Sequence, residues 1–129
     1  MSKRNLLDTH TLIWFIDGNK ELSQTARQEI EAENATNFVS IASLWEIAIK
    51  VSVGKLELKT SFNQINLKLT ENGFEILPVT YEDTLIISAL PFHHRDPFDR
   101  IIIAQAMTNK LTIISKDEQF SSYSIKAIW

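Results

Sequence analysis

The sequence predicts an α/β fold: a single domain with a central, mostly parallel sheet flanked by helices. Short apolar runs rich in β-branched residues alternate with longer segments of helical pattern, which is typical of βαβ units. Two of these runs, 5–8 and 111–117, end in an acid. A length of 129 residues fits one domain, 1–129, whose core is large enough to fold without a disulfide.

Breakers and capping residues bound the predicted elements. In the first half they are a buried strand at 5–8, a helix at 9–17 closed by Gly18, a helix at 23–33 capped by Ser23, a strand at 37–43 and a helix at 43–54 stopped by Gly54. The second half continues the alternation. Its elements are a helix at 61–72 ended by Gly73, a strand at 74–79, a helix at 81–90 opened by a Thr80–Asp83 capping box, a helix after Asp96, a strand at 111–117 and an edge strand at 123–128.

Composition narrows the class of protein. The chain is 44% hydrophobic and 22% charged, as in globular domains, and it has no cysteine for a disulfide or a thiolate metal site. Asp8 interrupts the apolar stretch behind the basic start, and no window approaches the ~20 apolar residues of a membrane span. We therefore expect a cytoplasmic protein with no signal peptide and no membrane segment. The net charge of −3 disfavours a non-catalytic nucleic-acid binder but does not exclude an enzyme.

Two acids follow predicted strands. Asp8 precedes a helix, so it fits a helix N-cap as well as a site acid. Ser115 and Glu118 match a capping box, which leaves Asp117 as either a solvated turn acid or a site acid. In parallel sheets ligands bind outside the carboxyl ends of the strands. We therefore expect Asp8 and Asp117 to share that edge of the fold.

Glu46 lies in a predicted helix that is apolar on almost every side. Ser43, Glu46 and Lys50 are spaced as one polar stripe along it. A surface ion pair between Glu46 and Lys50 is one explanation. A helix this apolar is expected to be buried, however, and its stripe would then face a cavity or a site. The residues alone leave both interpretations open.

The stretch "HHRDPFDRIIIAQA" (93–106) places two acids at the start of a helix. Asp96 and Pro97 fit the Ncap and N1 positions, and Asp99 is an acid in the first turn. One capping acid is sufficient, so we expect Asp96 to be the cap. Asp99 then directs a second carboxylate from a turn that leads into core isoleucines.

Four acids from separated segments together suit a hard divalent cation. Carboxylates at close range repel each other by several kcal/mol, and Mg²⁺ takes oxygen ligands such as carboxylates, water and phosphate. These acids are Asp8, Glu46, Asp99 and Asp117. The adjacent His93 and His94 point in different directions, His10 is isolated, and no zinc spacing occurs. We therefore expect solvated or capping histidines.

Four segments resemble, in order, the PIN domain of VapC-type toxins: "LLDTHTLIWF", "SIASLWEIAIKVSVGKLEL", "HHRDPFDRIIIAQA" and "IISKDEQF". The resemblance spans nearly the whole chain, and its second and third segments are the most specific. It implies a parallel sheet between helices and four acids that bind Mg²⁺ or Mn²⁺ to cut RNA. The implied reaction is hydrolysis by metal-activated water, leaving a 5′-phosphate and a 3′-hydroxyl.

The motifs of the resemblance assign a role to each acid. They imply Asp8 and Asp99 as direct ligands, Glu46 as a ligand or water-positioning base, and Asp117 as a ligand of a second metal or an outer-shell acid. Asp96 belongs to a D-P-F-D variant of the third motif. We interpret it as the residue that starts the helix, with an accessory role at the site as the alternative.

Four basic residues are candidates for contact with the RNA backbone. Arg95, Arg100 and Lys116 flank the acids in sequence, and Lys50 shares the stripe of Glu46. Solvated surface charge is the alternative for each. Arg100 stands where the third motif often has alanine, so specificity, phosphate binding and a structural role are all open.

The resemblance also implies a homodimer and an antitoxin protein that inserts a segment near the site. "TLIWFI" and "KLEL" supply apolar residues for it, although core packing explains most of them. One alternative function is a non-catalytic PIN-like protein-binding module, which would be expected to lose acids that are all present here. Another is a receiver-like signalling domain. It requires an acidic pair and an acceptor aspartate, yet no aspartate lies between Asp17 and Asp83.

Overall fold

A parallel five-stranded sheet organises residues 2–129, the part of the chain that this computed structural model describes. Its order is β3-β2-β1-β4-β5, and every neighbouring pair is parallel. The strands are β1 (Lys3–Leu7), β2 (Ala35–Ser40), β3 (Glu75–Leu77), β4 (Thr112–Ile114) and β5 (Ala127–Ile128). The predicted α/β class with a parallel sheet is confirmed, as is the position of the last strand at an edge.

The helices begin and end largely where capping residues predict. They are α1 (Thr9–Asp17), α2 (Gln24–Glu31), α3 (Ile41–Ser52), α4 (Phe62–Glu71), α5 (Tyr81–Ala89) and α6 (Pro97–Asn109). Ser23 caps α2, and Thr80 with Asp83 forms the predicted capping box of α5. Gly18 ends α1 with a φ of 63°, a left-handed conformation that disfavours other residues. None of the helices in residues 2–129 is long and apolar enough to cross a membrane.

The strands expected at 74–79, 111–117 and 123–128 are shorter in the structure, and one helix begins earlier than predicted. The strand expected at 37–43 ends at Ser40, and α3 begins two residues before the predicted start. The reason is local: the Ser40 hydroxyl accepts a hydrogen bond from the backbone N–H of Ala42 and so caps the helix.

Helices cover both faces of the sheet. Along β1, Leu6 packs in one apolar cluster with Ile102 of α6, whereas Leu7 packs in a second cluster with Leu12 of α1. Successive strand residues point to opposite faces. Both Leu6 and Leu7 are therefore buried, one on each face, which explains the short apolar run that the sequence shows at the end of β1.

The order of the strands creates a crevice beside β1. The chain passes from β1 outward to β2 and β3, and then returns through α6 to β4 on the other side of β1. Ligands of open parallel sheets bind where the strand order reverses in this way. Asp8 directly follows β1, and Asp117 follows β4 by three residues. Both acids therefore lie beside the crevice, at the edge that the sequence predicts.

Candidate metal centre

Asp8 is held between β1 and α1 by hydrogen bonds to both carboxylate oxygens. Its Oδ1 accepts a hydrogen bond from the backbone N–H of Thr11 at 2.9 Å, and its Oδ2 accepts one from the Ser115 hydroxyl. The side chain is buried. Asp8 therefore is the N-cap of α1, and the same contacts keep a charged group in place at the crevice.

Glu46 is buried beside Asp8 even though it forms the expected ion pair. Its Oε2 lies 2.8 Å from Lys50 Nζ, and its Oε1 accepts a hydrogen bond from the Thr9 hydroxyl at 2.8 Å. Only 6% of Glu46 is exposed, whereas Lys50 is more than a third exposed. The polar stripe of α3 thus faces the residue that follows Asp8, and its outer end reaches solvent at Lys50.

Asp96 and Asp99 have different surroundings although they are three residues apart. Asp96 is exposed, and its Oδ1 accepts a hydrogen bond from the Asp99 backbone N–H at 3.0 Å. Asp96 is the N-cap of α6 with Pro97 at N1, so the predicted cap is confirmed. The Asp99 carboxylate is partly buried and lies 3.1 Å from His94 Nε2.

Asp99 is the most strongly perturbed acid of the described chain. Its pKa is raised from 3.8 to about 8, mainly by burial and then by the negative charges of Asp96, Asp8, Glu46 and Asp117. Burial and neighbouring like charges both disfavour the ionised form. The same electrostatic interactions show that the acids of α1, α3, α6 and the segment after β4 converge on one place.

His94 is the component that the sequence interpretation missed. It is 7% exposed, and its Nε2 lies 2.9 Å from Asp117 Oδ2 and 3.1 Å from Asp99 Oδ2. The expected solvated or capping role is therefore wrong for His94, whereas His10 and His93 are exposed. The available signal was its position just before the two acids of α6. Zinc-ligand spacing does not reveal this histidine, because one of its acidic partners, Asp117, comes from a distant segment.

The segment after β4 ties Asp117 to Asp8. The Ser115 hydroxyl accepts a hydrogen bond from the Asp117 backbone N–H at 3.0 Å and donates to Asp8. Asp117 itself caps a 3₁₀ turn, Glu118–Ser122, by accepting from the Gln119 N–H at 2.9 Å. The predicted capping box of Ser115 and Glu118 is therefore wrong, because Ser115 connects the two acids instead.

Arg100 is buried and supports the loop that carries His94. Its guanidinium lies 4.1 Å from the centroid of the Phe92 ring. It donates hydrogen bonds to four backbone carbonyls, those of Ile87, Leu90, Pro91 and His94. Of the three roles that the sequence left open, these contacts favour the structural one.

The other three basic candidates reach the surface. Lys116 is exposed and pairs with Glu21 at 3.0 Å, and Lys50 pairs with Glu46. Arg95 is exposed, with its guanidinium 5.8 Å from the Phe92 ring centroid. Pairing of this kind at a solvated surface is weak, so these side chains remain available to a polyanion.

The donor atoms suit a divalent cation. Within residues 2–129, His94, Asp99 and Asp117 each offer one ligand atom, and these three atoms lie within 4.8 Å of one another. Asp8 and Glu46 act electrostatically on the same carboxylate. Carboxylate oxygens are the ligands that Mg²⁺ and Mn²⁺ prefer, and a cation would offset the charge that raises the Asp99 pKa. The residues therefore fit a metal of this class.

The family model of the PIN domain matches residues 6–126, almost the full length. The chain belongs to the PIN domain family. PIN domains are typically nucleases and usually use divalent metals. A search of curated proteins finds no match to the chain.

Several solved structures are similar to this PIN domain. VapBC2 from Rickettsia felis bound to a DNA fragment of its promoter aligns with a TM-score of 0.71, 19% identity and 97% coverage of both chains. A toxin–antitoxin complex from Klebsiella pneumoniae gives a TM-score of 0.68, 20% identity and coverage of 97% and 96%. VapBC-5 from Mycobacterium tuberculosis gives a TM-score of 0.60, 20% identity and coverage of 97% of both chains. At these identities the likeness shows the fold.

Proposed function

We propose that this PIN domain is a metal-dependent endoribonuclease that uses Mg²⁺ or Mn²⁺, and that it is the toxin of a type II toxin–antitoxin pair. The observation that carries the proposal is the convergence of other acids on the partly buried carboxylate of Asp99. Its pKa is raised to about 8 by burial and by four other acids at the reversal point of the sheet. A purely structural site has no reason to keep that repulsion, whereas a cation-binding site requires the charges.

The acids have distinct roles in this proposal. Asp8 and Asp99 are direct ligands, Glu46 is a ligand or positions the attacking water, and Asp117 is a ligand or an outer-shell acid. When bound, the cation polarises the scissile phosphate, activates water and stabilises the leaving oxygen.

Hydrogen bonds and an ion pair to their oxygens hold two of these carboxylates in place. Ser115 and the Thr11 N–H hold Asp8, while Thr9 and Lys50 hold Glu46. Supporting contacts of this kind fix the orientation of ligands before the substrate arrives.

The RNA backbone would approach along the exposed cations. Arg95 and Lys116 each adjoin a residue of the acidic site in sequence and are exposed. Lys50 neutralises one oxygen of Glu46 from the solvent side. These charges reduce the repulsion between an acidic centre and a phosphate chain. Arg100, with its hydrogen bonds to four carbonyls, holds the loop and is not needed for this contact.

The proposed partners are a cognate antitoxin and a second copy of this chain. Two features support a protein partner. The solved complexes from Rickettsia felis and Klebsiella pneumoniae are toxin–antitoxin assemblies of similar fold. Three apolar side chains of α3 and that of its C-cap residue, spaced four residues apart, are exposed on one face: Ile41, Trp45, Ile49 and Val53. An apolar stripe of this kind favours a protein partner. An RNA-cutting toxin of this type would act in the cytoplasm.

The decisive experiment is cleavage of a mixed RNA substrate by the purified protein with Mg²⁺ or Mn²⁺. We expect cleavage that EDTA abolishes, with 5′-phosphate ends that sequencing of the fragments can locate. Asp8→Asn and Asp99→Asn should each reduce the rate at least about 100-fold, because an amide does not supply a charged ligand oxygen. Asp96→Asn is the matched control, since asparagine caps nearly as well as aspartate.

Three results would contradict the proposal. They are cleavage that resists EDTA, full activity of Asp8→Asn and Asp99→Asn, and no cleavage of any RNA by folded wild type with metal present. The last result would favour a non-catalytic protein-binding PIN module. Binding of the neighbouring-gene antitoxin, measured by co-purification, tests the partner part separately.

A further inference from the structure

His94 is positioned more firmly than a structural histidine requires. Its backbone N–H donates to the Tyr123 hydroxyl at 2.8 Å, and its carbonyl accepts from Arg100 at 3.1 Å. The ring is covered by Phe120, with centroids 5.4 Å apart. Burial of the ring and fixation of the backbone on both sides direct Nε2 at the acids and leave it little freedom.

The separations around Nε2 match those between ligands of one ion. Nε2 lies 2.9 Å from Asp117 Oδ2 and 3.1 Å from Asp99 Oδ2. Two ligand atoms about 2.1 Å from a small divalent ion, at right angles, are about 3.0 Å apart. The three side chains therefore need little rearrangement to share one cation.

Only the Nε2 side of the His94 ring has partners that hold the ring proton. Nδ1 of His94 is buried and has no hydrogen-bond partner in the described structure. The two carboxylates favour the proton on Nε2, and a cation that replaces that proton would receive the Nε2 lone pair while Nδ1 carries the proton. In the absence of a cation, Nε2–H can donate to the same carboxylates.

We propose that His94 Nε2 is a nitrogen ligand of the cation that Asp99 and Asp117 bind, and that it shifts the preference of the site from Mg²⁺ toward Mn²⁺. This inference rests on the proposed metal centre but goes beyond its four acids. Mg²⁺ favours an all-oxygen environment, whereas imidazole binds transition metals well. A site with one buried imidazole should therefore distinguish ions that an all-carboxylate site treats more alike.

The experiment compares three proteins: wild type, His94→Gln and His93→Gln. Glutamine at 94 keeps an amide that can donate to Asp99 and Asp117 but supplies no imidazole. His93 is the matched control because it is adjacent and exposed, with its ring against Tyr123 rather than the acids. Thermal melts in EDTA show whether each variant is folded.

Two measurements on these proteins do not depend on activity. Calorimetric titration should show that His94→Gln weakens Mn²⁺ binding about tenfold or more and Mg²⁺ binding less than about threefold. Pulsed electron paramagnetic resonance of the Mn²⁺-loaded protein should detect an imidazole ¹⁴N in wild type and His93→Gln, and none in His94→Gln.

The outcomes separate this inference from the proposed function. Wild type that binds Mn²⁺ without an imidazole signal, or a signal that persists in folded His94→Gln, overturns the role of His94 while the acidic metal centre stands. Equal weakening of Mn²⁺ and Mg²⁺ makes His94 a positioning residue and overturns the ligand role. Wild type that binds neither ion overturns the metal centre itself, and with it this inference. If His94→Gln does not fold, wild type labelled with ¹⁵N-histidine is measured instead. The imidazole ¹⁴N signal must then be replaced by a ¹⁵N signal, and a ¹⁴N signal that does not change overturns the ligand role.

Discussion

Two polar clusters adjoin β1, and they are built in opposite ways. In the first, Asn5 on β1 and Asn37 on β2 are register partners, and Asn5 Nδ2 lies 3.0 Å from Asn37 Oδ1. Their amides also donate to the carbonyls of Glu29 and Ile30 in the last turn of α2. This amide pair is neutral, and it satisfies carbonyls that the end of a helix leaves unpaired.

The second cluster, at the carboxyl ends of the strands, holds acids whose charges oppose one another. Asp8, Glu46 and Asp117 each have hydrogen-bond partners, yet all three raise the pKa of Asp99. These contacts satisfy individual oxygens, but among them only Lys50, paired with Glu46, brings a fixed positive charge, so negative charge is left over. The contrast teaches that a buried polar cluster serves structure when it closes on itself, and favours a ligand when charge is left over.

The largest expected effect is a dependence of the unfolding free energy on pH, which the acidic cluster should cause and the neutral amide pair should not. Because the folded-state pKa of Asp99 is about 8 and the unfolded value is 3.8, the folded protein holds that proton more tightly. The stability that the protonated Asp99 carboxyl allows is fully present below about pH 4 and is lost as the pH rises to about 8. In EDTA, the unfolding free energy of wild type relative to Asp99→Asn should fall on the order of 5 kcal/mol across that range. Urea unfolding at several pH values measures it, and a constant difference would refute it.

The next effect concerns the amide pair. Asn37→Ala should lower the unfolding free energy by about 3 kcal/mol, because it leaves the Ile30 carbonyl and part of the Asn5 amide buried without a partner. The loss should be the same with EDTA and with Mg²⁺, as measured by urea unfolding in both. If the loss depends on metal, the two clusters are coupled and the comparison fails.

A bound cation should reverse the order of stability of wild type and Asp99→Asn. In EDTA at neutral pH, Asp99→Asn should melt at or above the wild-type temperature, because the wild-type carboxyl must take up a proton when the protein folds and asparagine needs none. Saturating Mg²⁺ or Mn²⁺ should stabilise wild type by about 2.7 kcal/mol at a hundred times Kd and the variant by little. Thermal melts of both proteins decide it. A variant that is less stable in EDTA, and gains as much as wild type from metal, would place the metal elsewhere.

The smallest effect distinguishes the two acids of α6. Asp96→Ala should cost about 1 kcal/mol through loss of the cap, whereas Asp96→Asn should retain most of the stability. Neither change should affect metal affinity as much as Asp99→Asn does. Melting temperatures and calorimetric titration of the three variants test this, and equal loss of metal affinity in Asp96→Asn and Asp99→Asn would mean that Asp96 is also a ligand.

Local chemistry made much of the fold predictable. Capping by Ser23, Asp96 and the Thr80–Asp83 pair depends on residues within one turn, and the structure confirms each. The misplaced start of α3 has the same local origin, because Ser40 is also a good cap and starts the helix before position 43. Boundaries of this kind are uncertain by a few residues whenever two capping residues lie close together.

The sequence by itself determined the alternation of strands and helices and most of the caps, and it identified four candidate acids, two of which, Asp8 and Asp117, follow strands of the parallel sheet. Only the tertiary structure decided which polar groups meet: that Ser115 joins Asp8 to Asp117, that Arg100 turns inward to carbonyls, and that His94 stands between two acids. The physical reason is how far apart along the chain the interacting residues lie. Caps and periodic apolar faces depend on neighbours along the chain, whereas burial and the charges that act on Asp99 come from segments that are distant in sequence and adjacent only in the folded protein.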